Sequence, residues 1–294
     1  MGVRRVLLTG ATSFPGLALA GRLRSLGAEV HAVIRPATDT AALDQLGVLT
    51  HVDEGDMPAI IGAARPEVVF HLANLYLRDH GASDVARLID TNVTFGARVL
   101  DAVAGSGAAF VNVGTFAQKW GEPPRPLNLY AAAKEAFETL LAHYRDLGLA
   151  ATTLVLFDTY GPGDTRRKLV PTLLAALDGG PPLALPDEEM VMDLTYRDDV
   201  AEALLAAGRG ILAEPDVWRG RRFAASGFRH TIDEVVAVFE RQAGVELPKR
   251  RGGWAVPERS VRIPWAGERA PGWSAKVTLA EGLARTIGES RRAG

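Results

Sequence analysis

Thr9-Gly10-Ala11-Thr12-Ser13-Phe14-Pro15-Gly16 lies between a short apolar stretch, Val3 to Leu8, and an apolar-patterned segment that runs to about Leu26 and stops at Gly27. Strand, glycine turn and helix in that order form a cradle for a pyrophosphate: backbone N–H groups and the positive end of the helix face the phosphates, and missing side chains allow close approach. The spacing is Gly10-x-x-Ser13-x-x-Gly16, with Ser13 in a slot where glycine is the commoner residue. Serine can donate to phosphate, but it tolerates a positive φ less well than glycine. Pro15 suits the first turn of the helix, where its absent N–H is not needed.

The first half of the chain repeats this rhythm. Strands are expected at Glu29–Ile34, Val48–Val52, Glu67–Leu72, Ala108–Val113 and Thr152–Phe157, with helices near Asp56–Ala64, Ser83–Ala104 and Asn128–Leu147. Such alternation predicts an α/β, Rossmann-type doubly wound parallel sheet, with ligands at the carboxyl ends of its strands. A smaller C-terminal substrate lobe completes the expected architecture. The dinucleotide-binding domain is assigned to 1–157 with a returning segment at 192–222, and the lobe to 158–191 and 223–294.

Tyr130 and Lys134 fall four residues apart on one of these helices, so both lie on one face. A nearby ammonium favours the ionised phenol. A free tyrosine titrates near pH 10, and bringing it to neutrality requires about 3 units, roughly 4 kcal/mol, more than one ammonium supplies. The pair therefore has catalytic meaning only beside a dinucleotide site; elsewhere Tyr and Lys at this spacing are ordinary surface residues.

Thr9–Gly16, His71-Leu72-Ala73-Asn74, Asn92–Gly96, Thr115, Tyr130-x-x-x-Lys134 and Tyr160-Gly161-Pro162-Gly163 occur in the order found in extended short-chain dehydrogenases/reductases. The chain resembles that group of NAD(P)-dependent nucleotide-sugar epimerases, dehydratases and reductases over nearly its whole length. The runs Val111–Gln118, Asn128–Lys134 and Leu156–Pro162 are most similar to bacterial 4-keto-6-deoxy-sugar reductases of the CDP-abequose synthase type.

The resemblance implies Thr115, Tyr130 and Lys134 as the catalytic set. It implies Gly10, Thr12, Ser13, Phe14, Gly16, Leu72, Ala73, Asn92, Tyr130 and Lys134 at the cofactor, with Asp53 at the adenine amino group, or Asp56 if the loop is shifted. Strand two ends in Arg35 and meets no acid until Asp39. A guanidinium suits a 2′-phosphate by charge and by its fork of donors, which favours NADPH over NAD; the plainer reading of Arg35 is a solvated charge at a strand end. For the substrate, the resemblance points to Asn74, Thr115 and Asp158, although Asp158 could equally cap a turn. Arg166, Arg167 and Lys168 form a cationic cluster, so Arg166 and Lys168 are candidates for a nucleotide diphosphate; the alternative is a solvated surface.

In the 4,6-dehydratases of the group the two residues after the threonine are Asp and Glu, which eliminate water. Here they are Phe116 and Ala117, so elimination has no groups to carry it. Three readings stay open: an NADPH-dependent reductase of a nucleotide-linked 4-keto-6-deoxyhexose, an NAD-containing nucleotide-sugar 4-epimerase, and a non-catalytic dinucleotide-binding sensor. Met192 departs from the epimerases, which often place an Arg beside the acid matched by Asp193. Pairing of the Ser83–Ala104 and Asn128–Leu147 helices in the group implies a homodimer.

With 294 residues, 47% hydrophobic content and a formal charge of −2, the chain can bury a sizeable core and has no electrostatic bias toward nucleic acid or membrane. The absence of Cys, and six His without ligand spacing, argue against zinc, iron–sulfur or thiol chemistry. No apolar run approaches the ~18 residues of a membrane span, and the N-terminal residues read directly into strand one, so a cytoplasmic location is expected.

Overall fold

The computed structural model describes residues 2–293. Seven strands, β1 (Arg5–Thr9), β2 (Glu29–Ile34), β3 (Leu49–Val52), β4 (Val68–His71), β5 (Ala109–Thr115), β6 (Ala151–Leu156) and β10 (Arg222–Ala225), form one sheet in the order β10-β6-β5-β4-β1-β2-β3. Every neighbouring pair is parallel. Strand order reverses at β1 and β4, so the two halves of the sheet open a crevice beyond their carboxyl ends, where the glycine loop also lies.

Successive side chains of a strand point to opposite faces, and the two cores divide accordingly. Val6, Leu8, Phe70 and Val111 pack on one face beneath α1 (Phe14–Ser25) and α8 (Arg197–Ala213). Leu7, Val69 and Phe110 pack on the other beneath α3 (Met57–Ala64), α5 (Phe95–Val103) and α6 (Leu129–Asp146). A sheet covered on both faces explains why β4 and β6 are buried at every residue instead of alternating. Short helices α2 (Ala41–Gln45), α4 (Val85–Ile89) and α9 (Pro215–Trp218) complete this layer.

The smaller lobe has its own core, with Leu173, Leu194, Val235, Phe239 and Leu283 at its centre. It contains a three-stranded sheet, order β11-β9-β7, from β7 (Asp158–Tyr160), β9 (Val191–Tyr196) and β11 (Phe228–Thr231). A two-stranded sheet pairs β8 (Leu183–Leu185) with β12 (Lys249–Arg251), and helices α7 (Leu169–Leu177), α10 (Ile232–Ala243) and α11 (Leu279–Ala293) cover them.

Two expectations are corrected. The returning segment is shifted toward the C-terminus from 192–222: β9 hydrogen-bonds to β7 and β11 in the lobe, whereas β10, which straddles the 222/223 boundary, pairs with β6 at the edge of the large sheet. The helix expected over Ser83–Ala104 is segmented, with a widened π-helical turn at Asp90–Thr94 between α4 and α5. Such turns mark places where a helix gives up regular hydrogen bonding to aim a side chain; here that side chain is Asn92.

Candidate active site

The glycine loop reaches the crevice because β1 ends there. Gly10 takes φ +69°, and a Cβ on it would stand 2.6 Å from the Ala73 nitrogen. A Cβ on Gly16 would overlap the Gly10 carbonyl oxygen. Ser13 needs no such freedom: it is the N-cap of α1 at φ −70°, its hydroxyl accepting from the Gly16 N–H at 3.2 Å and donating to the Gly10 carbonyl at 2.7 Å. The loop is thus a backbone cradle at a helix N-terminus with no room for a side chain at Gly10 or Gly16, which fits a pyrophosphate.

The other wall is the end of β4. The Ala73 N–H donates to Thr9 Oγ1 at 3.2 Å, and that hydroxyl lies 2.8 Å from His71 Nδ1. His71 is packed among Phe95, Phe110 and Phe137, and burial pushes it down to about 3, so it is neutral. Asn74 donates its side-chain amide to the Leu72 carbonyl at 2.9 Å. Asn92 is almost fully buried and clamps Leu75 from both sides, accepting from its N–H and donating to its carbonyl, each at 3.0 Å. Asn92 therefore fixes the segment that follows β4 at Leu75, with its amide oxygen and nitrogen both engaged.

Arg35, Thr12, Thr38 and Asp39 line an open cleft of about 600 Å³ past the end of β2. Arg35 is exposed, and the turn behind it is closed by Thr38, whose N–H and hydroxyl both donate to the Arg35 carbonyl. Asp53 is instead held by Arg98 through two bonds of 2.7 and 3.1 Å and accepts from the Gly55 N–H. Asp56 is the N-cap of α3.

Thr115 ends β5, and Asn128 caps α6 so that Tyr130 and Lys134 begin one buried face of that helix. The structure corrects the expectation that the ammonium lowers the phenol. Lys134 is buried and donates to the Val113 carbonyl at 2.7 Å. Burial pushes it down to about 8, against the opposing pull of Glu138. Burial likewise pushes the Tyr130 hydroxyl up, and the neighbouring Tyr76 adds to this, so the phenol is protonated at neutral pH.

Tyr76 is a site residue that the motifs did not reveal. Its ring stands perpendicular to Tyr130, centroids 5.1 Å apart, and Lys168 Nζ lies 5.5 Å from its centre. Lys168 also pairs with Asp158 at 2.8 Å. Tyr130, Tyr76, Lys168 and Asp158 thus form one continuous set bridging the large sheet and the lobe. Arg166 is engaged differently: it pairs with Asp164 and donates to the Thr159 carbonyl, and its guanidinium lies 4.6 Å over the ring of Phe14. Phe14 therefore ties the glycine loop to the lobe.

Phe116 lies flat on Phe157, and both join Trp265 in a small apolar cluster. On the lobe side, Asp193 is buried and accepts from Ser226, the Gly227 N–H and Arg229. A cation does stand beside this acid, but β11 supplies it, in register across from Asp193, in place of position 192. Among the described residues no group of three or more His, Asp or Glu could hold a metal, and no helix is long and apolar enough to cross a membrane.

Residues 6–216 match the model of the NAD dependent epimerase/dehydratase family. CDP-abequose synthase of Yersinia pseudotuberculosis is 26% identical over 207 residues, covering 68% of this chain and 72% of that protein. UDP-glucose 4-epimerase of Mycolicibacterium smegmatis is 24% identical over 327 residues, 96% of this chain and 97% of its own. In three dimensions the fold superposes on a UDP-glucose 4-epimerase of Stenotrophomonas maltophila, solved with NAD and a formylated UDP-arabinopyranose, with a TM-score of 0.86 over 99% of this chain and 100% of that one at 21% identity. With its parallel sheet and the glycine turn at its crevice, this chain belongs to the NAD dependent epimerase/dehydratase family of extended short-chain dehydrogenases/reductases.

Proposed function

We propose that this protein reduces the 4-keto group of a nucleotide-linked 4-keto-6-deoxyhexose with NADPH. The observation that carries the reading is the exposed Arg35 in the cleft beyond β2, a guanidinium suited to the 2′-phosphate of NADPH; the buried Tyr130 phenol, protonated at neutral pH, is suited to give its proton to an oxygen on which negative charge develops. The likeness to CDP-abequose synthase supports the same direction.

Gly10, Thr12, Ser13 and Gly16 would hold the pyrophosphate and Arg35 the 2′-phosphate of a dinucleotide, whose reduced nicotinamide supplies hydride to C4. Tyr130 transfers its phenolic proton to the C4 oxygen as the carbonyl becomes an alcohol. Thr115 accepts from the Ala117 N–H at 3.3 Å, which leaves its hydroxyl proton to donate to that oxygen. Lys134 has two N–H groups beyond the one on Val113, fit for ribose hydroxyls and for restoring the phenol's proton. Asp158, Lys168 and Asn74 face the sugar and diphosphate side.

A UDP-sugar 4-epimerase is the second reading, favoured by the nearly full-length similarity to the Mycolicibacterium smegmatis enzyme. Purified protein separates the two. Dinucleotide that survives purification, with interconversion of UDP-glucose and UDP-galactose, would support the epimerase. Empty protein that consumes NADPH with CDP- or dTDP-linked 4-keto-6-deoxyglucose supports the reductase. In either case Tyr130→Phe is expected to lose turnover while still binding its dinucleotide, NADPH for the reductase and NAD for the epimerase, and unchanged turnover would overturn the role given to the phenol.

A further inference from the structure

Behind Thr115 and Tyr130 runs a polar network, buried at Gln118 and Glu138 and partly exposed at Glu135 and Arg222, that none of the motifs specifies. The Thr115 N–H donates to Gln118 Oε1 at 2.8 Å, while the Thr115 hydroxyl accepts from the Ala117 N–H. Gln118 is 3% exposed, and its Nε2 donates to Glu135 Oε2 at 2.8 Å. With a carboxylate on one side and an N–H on the other, only one orientation of the Gln118 amide satisfies both partners. Glu135 is held in turn by Arg222 at 2.9 Å, and the same guanidinium lies 3.2 Å from Glu138. Glu138, also 3% exposed, accepts from Asn112 at 2.7 Å and Thr153 at 2.8 Å on the two central strands β5 and β6.

The topology gives this network a purpose. Glu135 and Glu138 follow Lys134 on α6, the helix that also carries Tyr130. Thr115 ends β5, Gln118 lies in the 3₁₀ turn Phe116–Lys119 that follows it, and Arg222 begins the edge strand β10. Gln118 is thus the only link of the set that touches the Thr115 backbone, and it lies against Gly114, where a Cβ would stand 2.9 Å from its Oε1. A charge-assisted chain running from Thr115 through Gln118 and Glu135 to Arg222 fixes geometry more firmly than separate neutral bonds do.

We propose that Gln118 is a positioning residue: held by Glu135 and Arg222, it sets the rotamer and location of Thr115 relative to Tyr130, so that both hydroxyls converge on one substrate oxygen. This rests on the reading that Thr115 donates to the reacting oxygen. Gln118 does not itself reach that oxygen, and its effect passes entirely through the Thr115 peptide and the Ala117 turn. The chain's swap symmetry offers a rescue: exchanging the amide and the carboxylate, Gln118→Glu with Glu135→Gln, keeps an acceptor for the Thr115 N–H and a donor–acceptor match at the centre.

The test compares wild type, Gln118→Ala, Gln118→Glu and the exchanged pair. Turnover is followed with NADPH and dTDP-linked 4-keto-6-deoxyglucose, NADPH affinity by fluorescence, folding by circular dichroism, and the Thr115 χ1 angle by NMR of selectively labelled threonine methyls. Gln118→Ala and Gln118→Glu are expected to lower kcat about ten- to hundredfold with NADPH affinity within about twofold, and to average the Thr115 χ1. The exchanged pair is expected to recover most of kcat and a single rotamer. Equal kcat and an unchanged χ1 in Gln118→Ala would overturn the proposal, as would losses in both single variants that the exchange does not relieve. Should wild type not turn over the keto-sugar, the reductase reading fails on its own, and the χ1 comparison still decides whether Gln118 holds Thr115.

Discussion

Phe116 stacks on Phe157 with ring centroids 5.5 Å apart and planes 3° from parallel. This pairing occupies the position at which the resembled dehydratases carry an acid, and it turns that position into hydrophobic packing against Trp265. Introducing Phe116→Asp with Ala117→Glu is therefore expected to leave the protein unable to dehydrate dTDP-glucose, scored as water loss by mass spectrometry. Ala117 is 7% exposed, so the new glutamate would be buried without a partner. Truncating Phe116 alone to Ala is expected to lower stability by about 2–3 kcal/mol, below the full cost for a deep core Phe because its site is only half-buried. Appearance of a 4-keto-6-deoxy product in the double variant would show that elimination needs only those two groups.

Arg35 faces the cleft shared by Thr12, Thr38 and Asp39. If it binds a 2′-phosphate, Arg35→Ala should reduce kcat/KM for NADPH by about tenfold or more, the range of a lost charge-assisted contact, and leave NADH within about twofold. Equal losses with both cofactors would mean that the side chain supports the loop and does not read the phosphate.

Two buried bases give stability a defined pH dependence. His71 is pushed down by burial to about 3, below its unfolded value near 6.5, so the unfolded chain binds the extra proton between those limits. Stability is expected to fall as pH drops from about 6.5 toward 3. Lys134 is pushed down by burial to about 8 from an unfolded value near 10.4, so stability should rise from about pH 8 to 10.4, where the native state no longer buries the charge. Urea titrations across these windows measure both effects, and His71→Asn should flatten the acid limb. An acid limb that persists unchanged in His71→Asn would assign it to other groups.

Gly10→Ala combines a left-handed φ with a methyl 2.6 Å from the Ala73 nitrogen. The two backbone segments that form the cradle must then separate, at a cost of about 1–3 kcal/mol in strain. NADPH binding is expected to weaken at least tenfold, measured by fluorescence titration alongside the melting temperature. Wild-type affinity in this variant would remove the loop from the cofactor site.

Much of the molecule was legible because its signals are local. Glu29–Ile34 forms over the residues expected of it, since a short β-branched apolar run between Gly27 and Pro36 has the length of a strand and not of a helix. Asp56 and Asn128 were included as helix starts, and each proves to be an N-cap. The segmented helix around Asn92 was not legible: Asp90–Thr94 are weak helix formers, but a regular helix tolerates such a stretch, and the π turn serves a contact to Leu75, 17 residues away. Nor was β10 legible as an edge strand, because a four-residue segment acquires that role only by pairing with β6.

By itself the sequence determined the glycine cradle, the alternation of strands and helices, and the placing of Tyr130 and Lys134 on one helical face, all of which depend on spacings within about a dozen residues. Only the tertiary structure decided what those groups can do. Burial reverses the expected tuning by keeping Tyr130 protonated and turning Lys134 to the Val113 carbonyl, and it brings Tyr76, Gln118 and Arg222 to the site. The ionisation of Tyr130 and Lys134 follows solvent exclusion, and the polar chain behind them follows contacts between residues as distant as Glu135 and Arg222; both exist only once the chain has folded.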